Sequence, residues 1–589
     1  MPQVIRRAQQ QQNDVNPKVQ SQYGTITERV LRHRGIFGSS QNHEEALEHL
    51  STQAKYLKHY KSLKDVNRAA ILLADCIKQQ KQICIVGDFD ADGATSTALC
   101  LLAFKAMAYY KVDYIVPNRF DYGYGLTKPV VDIAIEQGAN VIITVDNGIS
   151  SIEAVAYAKQ HDVIVIITDH HLPAEALPEA DAIVNPNQPG CDFESKNLAG
   201  VGVAFYLMSA LKNVLEQQDY FSKLGWPVPN MAQFLDIVAV GTVADVVPLD
   251  SNNRILVHQG IQRIRSGKTR PGILALLNVT NRNHRRCSTS DIGFAIGPRL
   301  NAAGRLEDMS RGIECLVCDD ANTAAQYAAE LDGLNQSRRE IEQSMRDDAE
   351  RIFASTDINT EQLPSALIVY QADFHQGVVG IVAGRLKEKY YRPCVVFANE
   401  DNNYIKGSAR SIEGIHIRDA LVRVDSLAPD LIKKFGGHAM AAGLSIERSK
   451  LAEFEAVFNQ VIGDAIATLT HGKPLVAAIY SDGDLSQDEM TLDNASLLKY
   501  SLPWGQAFEE PVFDSEFELI QQRIVGQSHL KMVVKKQDQV FDAIAFNVDT
   551  KKWPNDNVHA IKLAYKLDIN EFRGQTSVQL LVSHIEALG

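Results

Sequence analysis

The stretch Ile83-Cys-Ile-Val-Gly-Asp-Phe-Asp-Ala-Asp-Gly93 decides the fold. A continuous apolar run, a turn dense in carboxylates and a helix-period segment follow one another, which suits a strand buried on both faces leading into a helix. The pattern then repeats. Strands are predicted at Val112–Val116, Val141–Val145, Val163–Thr168 and Ala182–Val184, with helices at Ala94–Tyr109, Thr127–Gln137 and Ser150–Gln160 between them. Such alternation predicts a parallel α/β sheet, whose strand ends share one edge where ligands bind. Three strands end in Asp88-Phe-Asp90-Ala-Asp92, in Asp146-Asn-Gly148 and in Asp169-His170-His171, so these side chains are expected to converge. Like charges about 4 Å apart repel by several kcal/mol at intermediate dielectric, so such a cluster must be partly protonated or hold a cation. Oxygen donors with one or two imidazoles suit Mn²⁺ or Mg²⁺ better than a thiolate-preferring metal. Singly, each motif has a plain structural explanation: Asp92-Gly93 as a helix cap, Asp146-Asn-Gly as a tight turn, the His pair as surface. Jointly those explanations are poor, because all three motifs fall at the same end of neighbouring strands. A further acid, Asp245, sits in the apolar run Gly241–Pro248 and needs a partner there, either a metal or an arginine.

The 589 residues are enough for three or four domains. Lys and Arg number 59 against 72 Asp and Glu, a net charge of −13, which excludes a histone-like polyanion binder but not a nucleic-acid enzyme with one basic groove. Eight cysteines are too few for a disulfide framework, and Cys315-Leu-Val-Cys318 lacks a second pair for zinc, so a reducing, cytoplasmic compartment is expected. No apolar run approaches the roughly 20 residues of a membrane span. The Gln-rich segment from Met1 to Gln22 reads as a disordered lead-in rather than a secretory signal. Ser266-Gly-Lys-Thr269 imitates the end of a phosphate-binding loop, but Gln262 occupies the place of its first glycine.

A mostly helical region runs on to Leu316, and a helical pattern unbroken by proline runs from Asn322 to Phe353. A second α/β pattern follows, with strands at Ala366–Tyr370 and Cys394–Ala398, a helix from Gly377 to Tyr390, and glycine-rich turns at Gly407 and Gly436-Gly437. From Gly472 the chain is β-rich, with strands at Leu475–Ile479, Pro511–Phe517, Leu530–Val534, Phe541–Phe546 and Ala560–Leu567, the spacing of a small barrel of the OB-fold kind. The segment Arg254–Ser290 has no acidic residue and carries Arg254, Arg263, Arg265, Lys268, Arg270, Arg282, Arg285 and Arg286, a candidate positive surface for a phosphate backbone; the plainer alternative is a solvated charged face. Arg299, Asn301 and Arg305 between Gly297 and Gly304 form a candidate phosphate-contact loop.

The clusters Asp88/Asp90/Asp92, Asp146, Asp169-His170-His171 and Asp245 resemble the four motifs of the DHH phosphoesterase family. Val116-Pro-Asn-Arg-Phe-Asp-Tyr-Gly-Tyr-Gly125, Leu198–Phe205, Gly297–Arg305, Lys406–Ser411 and Phe435–Gly443 extend the resemblance to that family's single-stranded-DNA-specific 5′→3′ exonucleases, from about Gly35 to near the C-terminus. The resemblance implies a lead-in over 1–45, a catalytic DHH domain over 46–318, a connector helix over 319–357, a DHH-associated domain over 358–468 and an OB-fold-like nucleic-acid-binding barrel over 469–589. It implies two ions of Mn²⁺ or Mg²⁺, with Asp88 and Asp90 favouring one, Asp92, His170 and Asp245 the other, Asp146 bridging them and His171 facing the scissile phosphate. Arg119, Tyr124, Arg299, Asn301 and Arg305 would contact DNA, and Ser408, Arg410 and His438 the 5′ end. The implied substrate is single-stranded DNA with a 5′ end, degraded to mononucleotides in repair and recombination, with a single-stranded-DNA-binding protein and a helicase as partners and no membrane. Two rival expectations are a DHH pyrophosphatase or short-oligonucleotide phosphodiesterase, and a non-catalytic DHH-type replication factor.

Overall fold

The computed structural model describes residues 2–7, 15–36, 43–118, 125–355, 363–572 and 574–588. The chain divides into two compact units, residues 4–332 with 479–589, and residues 333–478 with 1–3.

The first unit is built on β1 (Ile83–Gly87), β2 (Val112–Ile115), β3 (Val141–Val145), β4 (Ile164–Thr168) and β5 (Ala182–Val184), all parallel in the order β2-β1-β3-β4-β5. Every residue of β1 and β3 is buried, as their unbroken apolar runs require. The order reverses between β1 and β3, so Asp88–Asp92 and Asp146 stand on either side of the switch point where such sheets bind ligands. Helix α1 (Ala91–Ala106) follows β1 and is buried along most of its length. Three further helices bear on the site: α2 (Gly200–Gln217), α3 (Leu235–Ala244) and α4 (Gly297–Leu306). The long helix α5 (Ala321–Ser355) has 35 residues, in line with its proline-free pattern.

The second unit has β6 (Leu367–Tyr370), β7 (Cys394–Asn399), β8 (Tyr404–Arg410), β9 (Lys434–Gly437) and β10 (Ala441–Glu447) in the order β9-β10-β8-β7-β6, with only the β6–β7 pair parallel. Here the expected glycine turns are corrected: Gly407 lies inside β8 and Gly436-Gly437 inside β9. The reason at Gly407 is packing, since a Cβ there would stand 2.5 Å from the Phe397 ring. Helix α6 (Val379–Tyr390) covers this sheet.

The C-terminal strands β11 (Phe513–Val525), β12 (His529–Lys536), β13 (Gln539–Ala545), β14 (Ala560–Phe572) and β15 (Gln575–Leu588) close a five-stranded barrel, the expected architecture, although the strand expected at Leu475–Ile479 forms at Ala478–Ser481 outside the barrel and β15 takes its place. The N-terminal lead-in also differs from expectation. Asn16 caps a helix at Pro17–Tyr23, a second helix spans Thr25–His33, and its Ile26 and Val30 belong to the barrel's own core. Amphipathic spacing at Ile26, Val30 and Leu31 gives this segment an apolar face, which the barrel buries.

Candidate metal centre and strand-binding residues

Each acidic motif is fixed by the backbone that follows its strand. After β1, the Asp88 carboxylate accepts from the Phe89 N–H at 2.8 Å, and Asp90 caps α1 by accepting from Asp92 N at 2.9 Å and Gly93 N at 3.0 Å. Asp92, in the first turn of α1, accepts from Gly200 N at 2.6 Å and Val201 N at 2.9 Å. Its carboxylate therefore stands at the positive ends of α1 and α2 together. Asp146 follows β3 in the left-handed region, φ 63, and a Cβ on Gly200 would lie 2.6 Å from the Asp146 Cβ. Glycine at 200 is what allows α2 to start against this carboxylate.

After β4, the buried Asp169 carboxylate accepts from Ile149 N at 2.9 Å, His170 N at 2.7 Å, His171 N at 3.0 Å and His171 Nδ1 at 2.7 Å. Burial pushes Asp169 up, but the His171 ring bonded to it outweighs that and holds it below the usual carboxylate range. Burial likewise opposes a charged His171, yet Asp169 prevails and pushes the imidazole up to about 9. His170 Nε2 lies 3.2 Å from Asp146 Oδ1 and 3.5 Å from Asp245 Oδ2. Asp245 ends α3, and the next residue, Val246, has φ 61.

Donor atoms of Asp88, Asp90 and Asp146 lie within 4.8 Å of one another; so do those of Asp92, His170 and Asp245, and those of Asp146, His170 and His171. The residues predicted from three strand ends and from Asp245 thus share one site. Burial first, then Asp245 and Asp90, raises Asp92 well above the ordinary aspartate value; burial first, then Asp92 and Asp90, does the same to Asp146. Asp245 is pushed up to about 7 by burial and by Asp90. Mutual repulsion of this size in a buried site is what divalent cations relieve, and the oxygen-rich, imidazole-containing donor set fits Mn²⁺ and Mg²⁺.

The supporting shell was not legible in the sequence. Asn185 Nδ2 donates to the His171 carbonyl at 2.9 Å and Asn187 Nδ2 to the His170 carbonyl at 2.7 Å, fixing the loop that carries both rings. Asn301 accepts from Ala91 N at 2.9 Å, and a Cβ on Gly304 would collide with the Phe89 carbonyl, so α4 braces the Asp88–Asp92 turn. Asn301 is thereby a brace as well as a candidate contact. Arg299 donates to the Ala295 carbonyl at 2.8 Å and pairs with Asp332 at 2.6 Å, while Arg305 is half-buried in the last turn of α4.

The arginine-rich segment turns only part of its charge outward. Arg254 is buried, donating to the carbonyls of Leu249 at 2.8 Å and His49 at 2.6 Å with its guanidinium over the Phe508 ring. Arg265 donates to the Cys287 carbonyl and packs on Tyr500, Arg270 binds the carbonyls of residues 316–318 and Asp319, and Arg286 pairs with Glu571. Arginine satisfies several carbonyls at once from one planar fork, so these side chains join helices and barrel. Lys268, Arg282, Arg285 and Arg286 remain exposed, Arg282 beside Asp291 and Arg286 paired with Glu571.

In the second unit, Arg410 Nη1 donates to Ser408 Oγ at 3.0 Å, and a Cβ on Gly380 would lie 2.8 Å from Arg410 Nη2 and 2.9 Å from Ser408 Oγ. Both side chains therefore lie over the first turn of α6. Arg410 pairs across the sheet with Ala441, and His438, exposed in the β9–β10 turn, donates its N–H to the Ala441 carbonyl at 2.8 Å. Among the described residues no carboxylate lies within ion-pair distance of Arg410. Arg119, Tyr122 and Tyr124 lie outside the described residues.

Three family models match the chain: the DHH family N-terminal domain over residues 82–242, the DHHA1 domain over 363–464 and the RecJ OB domain over 481–584. The single-stranded-DNA-specific exonuclease RecJ of Salmonella typhimurium is 48% identical over 583 residues, covering 98% of this chain and 99% of that protein. The crystal structure of RecJ from Thermus thermophilus in complex with Mn²⁺ superposes with a TM-score of 0.76 at 26% identity, covering 99% of this chain and 79% of that one. The same protein with Mg²⁺ gives 0.71 at 25% identity, covering 99% and 78%. Sharing its three domains and almost its whole length with these proteins, the chain belongs to the RecJ family of single-stranded-DNA-specific exonucleases.

Proposed function

We propose that this protein is a divalent-metal-dependent exonuclease that degrades single-stranded DNA from its 5′ end and releases 5′-mononucleotides. The observation that carries the reading is the convergence of Asp88, Asp90 and Asp146 with Asp92, His170 and Asp245 at the switch point of the sheet. Asp88, Asp90 and Asp146 would hold one cation and Asp92, His170 and Asp245 a second, with Asp146, 3.2 Å from His170, shared between them. Bound there, such cations neutralise phosphodiester oxygens and make water a stronger nucleophile at neutral pH. The chain's own residues do the rest. Asp169 fixes the His171 ring through Nδ1, which leaves Nε2 to hydrogen-bond the scissile phosphate. Asn185 and Asn187 hold the backbone that carries the two imidazoles. Arg305 would serve the phosphate backbone near the cluster, whereas Arg299 is buried and held by the Ala295 carbonyl and Asp332, a structural role in place of the expected phosphate contact. Ser408, Arg410 and His438 would take the 5′-terminal phosphate: a largely buried guanidinium beside a hydroxyl and a helix N-terminus is suited to an anion. Arg119 and Tyr124 complete the set by family resemblance.

A cytoplasmic setting in DNA repair and recombination is part of the reading. Support comes from eight free cysteines and from the absence, among the described residues, of any helix long and apolar enough to cross a membrane. A substrate that must be unpaired calls for a strand-separating helicase and a single-stranded-DNA-binding protein as partners.

The test uses 3′-labelled, 5′-phosphorylated single-stranded DNA and its blunt duplex, each with Mn²⁺, Mg²⁺ or EDTA. Progressive shortening of the single strand from its 5′ end, abolished by EDTA and much slower on the duplex, is expected. Strand that stays bound but intact under every condition would overturn the activity in favour of a binding scaffold.

A further inference from the structure

Beside the acidic cluster the chain makes one π-helical turn, Ile292–Ile296, before entering α4. Such turns are rare and gather at functional sites. Ile292, Ala295 and Ile296 are buried and supply the whole apolar stripe of the turn. Phe294 lies off that stripe and is 76% exposed, more than any other large apolar side chain among the described residues. An isolated exposed apolar residue is ordinary, so position must decide.

Position places the turn at the cluster. A Cβ on Gly293 would lie 3.8 Å from Val243 Cγ1, and one on Gly297 3.2 Å from the Ala244 Cβ, so the turn rests on the last residues of α3, immediately before Asp245. Val246, next along, is 61% exposed with φ 61, a conformation that costs a β-branched residue and that folds keep where a site needs it. Arg282, itself exposed, stands 3.6 Å from Asp291, which closes the capping box leading into the turn. An exposed ring thus sits on a turn that packs against the residues preceding Asp245, a member of the cluster suited to bind the cations of phosphodiester cleavage. The cations of the cluster suit phosphates; bases need an apolar face.

We propose that the Phe294 ring is the stacking face for a nucleobase of the bound single strand beside the cleavage cluster, with Val246 on its apolar rim. The inference rests on the single-strand reading above. An aromatic face accepts any base, so the contact adds affinity without sequence preference. A paired base is already stacked and held by its partner, so the contact also favours unpaired DNA over duplex.

The experiment measures binding of the full chain to a labelled oligothymidylate by fluorescence anisotropy in EDTA at low salt, so that the strand is not cut. A second strand lacks bases at the six nucleotides next to the 5′ end. Phe294→Ala should weaken binding of the normal strand by roughly five- to a hundred-fold. Phe294→Trp should retain it, and the wild-type chain should hold the abasic strand about as weakly as Phe294→Ala holds the normal one. Because Phe294 faces water, the alanine variant should melt at the wild-type temperature. Wild-type affinity of Phe294→Ala for both strands, or an equal loss on both, would overturn the stacking face. Failure of the wild-type chain to bind either strand would overturn it as well. Base-dependent binding without cleavage in Mn²⁺ would overturn the proposed activity alone.

Discussion

Asp146 concentrates the physics of the site in one residue. It is buried, sits at φ 63, and adjoins His170 on one side and the start of α2 on the other. Asn tolerates the left-handed region and keeps the shape while removing the charge. Asp146→Asn should therefore lower cleavage on the order of 10²–10³-fold in a rate assay, as removal of a central electrostatic group does, while the melting temperature in EDTA stays level or rises because a repelled carboxylate is gone. A fall in both together would mean the side chain is structural. The acidic residues were legible because a parallel sheet puts its strand ends on one edge. Asn185 and Asn187 were not, because their partners are backbone carbonyls of a loop 14 to 17 residues away, which leave no periodicity. The arginines of 254–286 were only partly legible for a related reason: clustering in sequence does not say which guanidinium faces inward, and Arg254, Arg265 and Arg270 are spent on carbonyls.

At the scale of elements, close approaches hold the site. Gly304 lets α4 lie against the Phe89 carbonyl, and Asn301 ties the same helix to Ala91. Gly304→Ala should cost about 1–3 kcal/mol through overpacking, read as a lower melting temperature, and should reduce cleavage further than the stability loss explains, because the Asp88–Asp92 turn moves with the helix. A variant with wild-type activity would release α4 from that role. The N-terminal segment makes a second kind of attachment. Arg6 Nε lies 2.8 Å from the buried Asp514 carboxylate of β11; burial raises that carboxyl, but the Arg6 and Ser481 hydrogen bonds outweigh burial and hold it below the usual aspartate value. A carboxylate depressed on folding stabilises above its unfolded pKa, near 4, and loses that contribution as pH falls through the lower folded value. Because Arg6 is half-exposed, the pair contributes only about 1 kcal/mol. Arg6→Ala should lower the melting temperature at neutral pH, and the gap to wild type should close on acidification below about pH 4; a gap that is constant with pH would refute the ion pair. Strand periods in the first sheet were plain, whereas β8 was hidden by Gly407, which serves packing, β9 by its Gly436-Gly437 pair and β15 by its polar start, Gln575-Thr-Ser577.

The whole chain is organised differently from its linear order. Domain types were readable from patterning, since parallel sheet, long helix, second sheet and barrel each keep a distinct period. That residues 479–589 join 4–332 in one compact unit was not readable, since it depends on Leu249 N donating to the Gln506 carbonyl at 2.8 Å and on Arg254 over Phe508 and Arg265 over Tyr500. Removing 479–589 should therefore destabilise the first α/β region, with Arg254 left without its ring and the helices around Leu249 bared. Thermal melting and light scattering should show a lower transition and aggregation. A truncated chain that melts like the full one would show the barrel to be an appendage. The cation site itself is tested most directly by crystals grown with Mn²⁺ and an anomalous difference map at the manganese edge. Two peaks are predicted, one among Asp88, Asp90 and Asp146 and one among Asp92, His170 and Asp245; a map with no peak at these side chains would contradict the two-cation centre.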